Sequence, residues 1–366
     1  MADNGGQYLL LLWAAAAAVA AFTVLFPLLA ALMAPFSRRR APVQPAAGLL
    51  DIAIIIPAFK EAGTLPLTLS SISMAIDELR TVHPEATISI TVGLDGADPA
   101  TRAACGGFPV SVVEFTENLG KWNVLRQLAP AANARWVALT DAGTLWPRTL
   151  LVSLWAEMQG GRYGGLAPGY VQPSAGFAER SHWAVERGLK LLENHSGGPV
   201  SVHGAAVFYR ADVLTEAFRE LGPGPWFNDD IVLPLIIRAS GHRIRYFGAT
   251  AAVSDAGIGE ADREGRRRTR MVEGNLQWIS ALWLRVARRN PVVALLAARR
   301  GLRPFWIYVA AIPLGAALWA GPWPLALLMT CVSGALVLHP RAQAAALASL
   351  KAPLQATAQR RGVLWS

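Results

Sequence analysis

The chain has 366 residues, of which 53% are hydrophobic and only 16% charged, with a mean hydropathy of +0.33. Soluble domains carry roughly 25% charged residues, so this composition excludes a wholly water-exposed protein and puts part of the chain where charge is costly. Lys and Arg number 34 against 25 Asp and Glu, a formal charge of +9, which suits an anionic ligand or an anionic membrane face. Two cysteines, Cys105 and Cys331, exclude a disulfide framework, and the six histidines form no HExxH pair for zinc.

The first element is apolar. Leu9 to Met33 carries no charge, and at ~1.5 Å per residue it is long enough to cross a ~30 Å hydrocarbon core. No Lys or Arg precedes it, and it exceeds the ~7–15 residues of a signal-peptide core. Arg38, Arg39 and Arg40 follow it, so the positive-inside rule puts the N-terminus outside and the chain beyond residue 37 in the cytoplasm. Residues 1–37 are therefore expected to be a transmembrane anchor in the cell's inner (plasma) membrane.

Residues 51–278 alternate strand-like and helix-like segments, the pattern of an α/β domain with a mostly parallel sheet. Ile52–Pro57 is a continuous apolar run, as expected of a strand covered on both faces. Helices are predicted over Thr64–Arg80 and Gly120–Ala132, and strands over Thr87–Leu94, Val110–Phe115 and Trp136–Thr140. The carboxyl ends of these strands carry Pro57-Ala58-Phe59-Lys60-Glu61, Asp95-Gly96, Asn118-Leu119-Gly120-Lys121 and Asp141-Ala142-Gly143. Ligands of open α/β sheets bind outside such ends. One Asp-Gly is a turn signal; four successive charged ends, three of them bearing glycine, point to a site.

Further on, Asn228-Asp229-Asp230 opens a helix-like stretch, where adjacent acids either face substrate or simply favour the positive end of the helix dipole. Arg267, Arg270, Gly274 and Gln277 follow a 3-4-3 spacing and share one helical face. Arginine forks there suit a diphosphate, although a basic cluster beside a membrane also attracts anionic headgroups. Gly274 would permit close approach of another backbone. Residues 279–303 mix Trp283, Leu284, Val286 and Leu295 with Arg285, Arg288 and Arg289, the composition of an amphipathic helix lying on the membrane surface. Phe305–Leu338, broken by Gly321-Pro322-Trp323-Pro324 and flanked by arginines, reads as a transmembrane hairpin over 304–340 followed by a cytosolic tail, 341–366. The expected total is three crossings, one N-terminal and two C-terminal.

The ordered motifs IIIPAFKEAGTL, LDGADPAT, NLGK, TDAG, FNDDIVLPLIIRASGHRIRY and RRTRMVEGNLQW resemble those of the family 2 glycosyltransferases, which have the nucleotide-sugar-binding GT-A fold. The resemblance implies a membrane-anchored, inverting transfer of sugar from a UDP-sugar to a lipid or glycan hydroxyl. It implies that Asp95 accepts from the uracil imide while Pro57, Phe59 and Glu61 pack the base. Lys121, Arg267, Arg270, Gln277 and Trp278 contact the nucleotide sugar, and Asp141 holds Mg²⁺ or Mn²⁺ at the DXD element, whose third position is here the ligand-free Gly143. Asp230 is the expected base, with Asp229 supporting it, and His203 and Gly204 line the acceptor side. A processive polysaccharide synthase is the alternative within the class. Three crossings look too few to enclose a polymer without a second copy or a secretion partner. A nucleotidyltransferase and an inactive sugar-nucleotide-binding scaffold are alternatives from other classes; no nucleic-acid partner is implied.

Overall fold

The computed structural model describes residues 26–36, 50–172, 177–256 and 261–302. The expected spans lie outside these, except for Phe26–Leu32 (α1) and the residues just after it. Among the described residues no helix is long and apolar enough to cross a membrane.

The first strand, Asp51–Ala58 (β1), is buried on both faces along almost its whole length, as its unbroken isoleucines require. Leu65–Val82 (α2) follows. Leu65, Leu69, Ile72, Ile76 and Leu79 recur at helical spacing and are its buried stripe, and Pro84 lies just beyond its end. Thr87–Asp95 (β2), Pro99–Ala104 (α3), Ser111–Phe115 (β3), Lys121–Ala131 (α4) and Trp136–Thr140 (β4) complete the first half. After β4 come Thr144–Leu145 (β5), Leu150–Gln159 (α5), Gly165–Ala167 (β6), Gly169–Val171 (β7), Phe177–Glu193 (α6), Ala206–Arg210 (β8), Ala211–Leu221 (α7), Asp229–Ala239 (α8), Ile244–Tyr246 (β9) and Ala252–Asp255 (β10).

Seven strands form one sheet in the order β3-β2-β1-β4-β8-β6-β9. The first four run parallel, β8 runs antiparallel to both neighbours, and β9 is parallel to β6. The chain winds outward from β1 to β3 and then returns to place β4 on the other side of β1. That reversal opens a crevice beyond the carboxyl ends of β1 and β4. A small sheet, β5-β10-β7, stands beside it. The fold is therefore α/β and GT-A-like, with a mostly parallel central sheet.

Two apolar cores flank the sheet. Ile52, Ile54, Ile56 and Trp136 face α2 and α5 in one. Ile55, Val137 and Leu139 face α4, α7, α8 and the last helices in the other. The segment expected to be a single surface helix over 279–303 is instead the end of Ala261–Arg289 (α9) and a separate helix, Pro291–Leu302 (α10). Asn290 separates them. Its side chain accepts from the Val293 amide at 3.4 Å, capping a helix that opens on a proline. Leu282, Val286, Val292, Val293 and Leu296 are buried in the protein's own core, while Leu284 stays 68% exposed.

Candidate active site

The crevice is built from the strand ends upward. Beyond β1 the chain turns through Lys60, whose φ of 57° is left-handed, and the following residue is braced twice. The Glu61 amide donates to Thr101 Oγ1 at 2.9 Å, and the Glu61 carboxylate accepts from the Thr64 hydroxyl. Thr101 in turn donates to Asp98, the cap of α3, at 2.5 Å. That hydrogen bond is the main cause holding the Asp98 carboxyl below its usual range.

Beyond β3, Gly120 sits at φ 80° and places Lys121 as the first residue of α4. The Lys121 ammonium lies 2.7 Å from Asp141 Oδ1, at the end of β4, and 3.0 Å from Asp229 Oδ2, at the start of α8. Burial alone would lower this ammonium, but Asp141 and then Asp229 outweigh it and hold it charged above the usual lysine range. Gly204 stands beside all three elements. A Cβ built there would lie 3.6 Å from Asp230 Cβ, 3.7 Å from Asp141 Oδ2 and 3.9 Å from Lys121 Nζ. Residues separated by more than a hundred positions thus converge on one point.

A cleft of about 240 Å³ opens onto this group, lined by Pro57, Glu61, Lys121, Asp141, Asp229 and Arg270. Trp122, Trp226 and Phe227 supply its aromatic walls. The α9 helix holds the far wall. Gln277 accepts from the Phe227 amide at 3.4 Å and donates to the Pro225 carbonyl. The side chain of Asn228, next to the paired acids, donates to the Met271 carbonyl at 3.0 Å. Gly274 makes room for it, since a Cβ there would stand 2.5 Å from Asn228 Cγ. The close approach at Gly274 is thus made by a side chain rather than by a backbone.

Asp230 lies one residue beyond Asp229, and its backbone carbonyl accepts from Val202 at 2.9 Å. Burial, and next the neighbouring Asp229, push its carboxyl up, against the opposing pull of Arg300, Lys121 and Lys190. Lys190 itself is buried, donates to the Ser201 carbonyl at 2.8 Å, and is lowered to about 8 by burial and by Arg300. Sequence reasoning gave no role to Asn228 or the Pro225–Phe227 wall, and reached Lys190 only as the end of the Trp183–Lys190 helix, which resembles the acceptor side of the family's membrane members. The aromatic pair directly before the two acids is the signal that could have found the wall.

Several expected contacts fall elsewhere. Asp95 is fully buried, and its two oxygens accept from the amides of Leu119 at 2.6 Å and Gly120 at 2.9 Å. It shapes the Asn118–Lys121 loop instead of facing a base edge. Phe59 is not among the cleft-lining residues; its ring carries the Lys60 ammonium at 5.1 Å. Gln277 positions the wall. Trp278 is wholly buried, with its Nε1 donating to Asn275 at 3.0 Å, so it belongs to the core. Arg267 lies on α9, but its side chain is outside the described residues.

The third position of the Asp141-Ala142-Gly143 turn has a backbone reason. Gly143 adopts φ +89°, a left-handed conformation that strains a side-chain-bearing residue. Among the described residues no three His, Cys, Asp or Glu side chains gather as a metal cage. Asp141 Oδ1 meets Lys121, whereas its Oδ2 is turned toward Gly204, and the side chain is 41% exposed. One accessible carboxylate suits an ion such as Mg²⁺, which is commonly bound by one or two carboxylates plus substrate phosphates.

Residues 50–274 match the model of "Glycosyltransferase like family 2". No curated protein matches the chain. Among solved structures, the mannosyltransferase PcManGT from Pyrobaculum calidifontis, in complex with GDP-Man and Mn²⁺, is 21% identical with a TM-score of 0.65. The alignment covers 95% of this chain and 99% of that one, a likeness of fold. Residues 1–349 of S. aureus TarS are 12% identical at a TM-score of 0.45, over 85% of this chain and 93% of that one. Glucosyl-3-phosphoglycerate synthase from Mycobacterium tuberculosis, with Mn²⁺ and UDP-glucose, is 16% identical at 0.43, over 63% and 79%.

Proposed function

Because the chain belongs to the family 2 glycosyltransferases and is a glycosyltransferase that binds a nucleotide-sugar donor, we propose that it carries out an inverting transfer to a hydroxyl acceptor at a membrane. The observation that carries this reading is the convergence of Lys121, Asp141, Asp229 and Asp230 around Gly204.

In the transfer, Asp230 takes the proton of the acceptor hydroxyl as its oxygen bonds to the anomeric carbon. The bond from that carbon to the diphosphate oxygen breaks, and the diphosphate leaves with the electron pair. The raised carboxyl of Asp230 suits a base, whereas Asp229 is engaged by Lys121. The two cations lining the cleft, Lys121 and Arg270, face the site where negative charge grows on the leaving group. Asp141 would hold Mg²⁺ or Mn²⁺ together with the diphosphate, the ion supplying Lewis-acid charge neutralisation. The donor in this reading is a UDP-sugar, the class whose motifs the strand-end loops resemble. A GDP-sugar, as bound by the Pyrobaculum enzyme, is the competing arm of the test.

Membrane attachment is supported by the apolar stretches at both ends of the chain. The helix that ends the first, α1, packs against α10, which leads into the second. Leu28, Leu32 and Val185 leave apolar surface uncovered nearby, at 45%, 74% and 58% exposure. The deciding experiment is a screen of UDP- and GDP-sugars against membrane lipid extract, reading released nucleotide and the mass of new glycolipid. Asp230→Asn should retain nucleotide binding and lower turnover by about 10²–10⁴-fold; unchanged turnover would remove Asp230 from the mechanism.

A further inference from the structure

The donor cleft accounts for only one flank of the carboxylates. His203, adjacent in the chain to Gly204, is not part of its lining. The imidazole lies face to face with the Tyr170 ring, with centroids 4.1 Å apart and planes 12° from parallel. Trp183 closes the group, 4.9 Å from His203 and 5.5 Å from Tyr170. The three rings come from β7, α6 and the loop before β8, and each is partly exposed.

This cluster is tied to the reacting groups by two routes. Through Gly204 it reaches Asp230 and Asp141. Through the Tyr170 hydroxyl, which donates to Asp255, it reaches β10, where Asp255 pairs with Thr144 and the Ala256 amide donates to the Gly143 carbonyl at 2.8 Å. The rings therefore sit at a fixed offset from the acids, outside the donor's own walls.

We propose that Tyr170, Trp183 and His203 form an acceptor subsite, and that the acceptor presents a pyranose ring whose apolar C–H face lies on these rings. The proposal rests on the glycosyltransferase reading and names the substrate class of the same site. Aromatic faces carry negative charge density and offer a large rigid contact area, which complements the C–H face of a sugar. The charge around the cluster points the same way. Asp255 at its edge and Asp141 and Asp230 beyond Gly204 accept hydrogen bonds from hydroxyls. A sugar seated there directs a rim hydroxyl toward Asp230, whose proton acceptance and the loss of diphosphate then proceed as above.

The test uses the full-length chain in phospholipid nanodiscs with the donor found by the screen. Acceptors are a panel of octyl β-hexosides and, in parallel, farnesyl phosphate. Transfer to a hexoside is expected, and Trp183→Ala should raise the hexoside KM at least about tenfold while the nucleoside-diphosphate Kd stays within about twofold. Trp183→Phe should restore most of the loss. Should Trp183→Ala lose nucleotide binding through misfolding, His203→Gln is read by the same KM. Transfer to farnesyl phosphate alone, or an unchanged hexoside KM in a variant that binds nucleotide, overturns the subsite. Absence of nucleoside-diphosphate release from the wild type with every acceptor sinks the transfer reading itself, and that is a separate result.

Discussion

The two halves of the molecule solve the problem of placing functional groups differently. Up to β4 the chain lays down parallel strands, and each delivers its contribution within a few residues of its own carboxyl end. Of the charged side chains buried in the described structure, that half holds only Asp95, which is matched by two backbone amides. The half after β7 buries Glu186, Lys190, Glu193, Arg238 and Arg299. There the chain is fixed by long-range polar contacts. Arg238, wholly buried, donates to the carbonyls of Ser196, Gly198 and His242. Arg299 reaches Glu186 at 3.3 Å and Glu193 at 3.7 Å. Regular topology positions the donor-side groups, and a buried polar network positions Asp229 and Asp230.

The comparison can be broken most severely at Arg238. Arg238→Met would leave three buried carbonyls without their donor, and a loss of about 3–5 kcal/mol in denaturant unfolding is expected. A loss below about 1 kcal/mol would mean that the network does not hold this half. Gly274→Ala tests positioning instead of stability. Its Cβ would displace Asn228, the residue before the acids, and kcat should fall on the order of 10²-fold in protein that still unfolds cooperatively. The regular half should respond in the opposite manner. A Cβ at Gly93 on β2 would meet Leu128 and Val124 at 2.6 and 2.7 Å, so Gly93→Ala should cost about 1–3 kcal/mol of stability with kcat unchanged.

The smallest effect expected is on pH dependence. Asp230 must be unprotonated to act, and burial with Asp229 raises its carboxyl. Activity should therefore fail on acidification at a pH above the ordinary carboxylate range. Lys190 opposes that rise while it is charged. Lys190→Met should move the acid limb of the kcat/KM profile to higher pH, and a shift to lower pH would contradict the assigned sign. The linked stability runs the opposite way. A carboxyl raised in the fold favours the folded state most below its unfolded pKa, and that advantage is lost as pH rises through the folded value.

These regions also differ in how much of them is legible beforehand. Strand ends can be read because the apolar run and its terminal Asp or Lys are contiguous, so β1, β2, β4 and the placing of Lys121 and Asp141 follow from local pattern. The engagement of Asp95 depends on amides 24 and 25 residues away, which no local spacing encodes. Trp278 illustrates a different limit. Val272, Asn275, Trp278, Leu282 and Val286 are buried along α9 at helical spacing, the stripe that faces a core. Motif resemblance placed Trp278 in the site, whereas periodicity assigns it to the interior. The break at Asn290-Pro291 is likewise written in its cap and proline, and it divides a segment whose composition alone reads as one helix.

The grip of Asp95 on the Leu119 and Gly120 amides has a mechanical consequence. One jaw of the cleft is clamped to the sheet through a carboxylate without freedom to yield. The opposite jaw, Pro225–Phe227, hangs on a single long helix, through the Gln277 side chain and through the Asn228 side chain, which donates to the Met271 carbonyl. The position of that second jaw therefore depends on the stretch of α9 from Met271 to Gln277, so a substitution there reaches the cleft without touching the sheet.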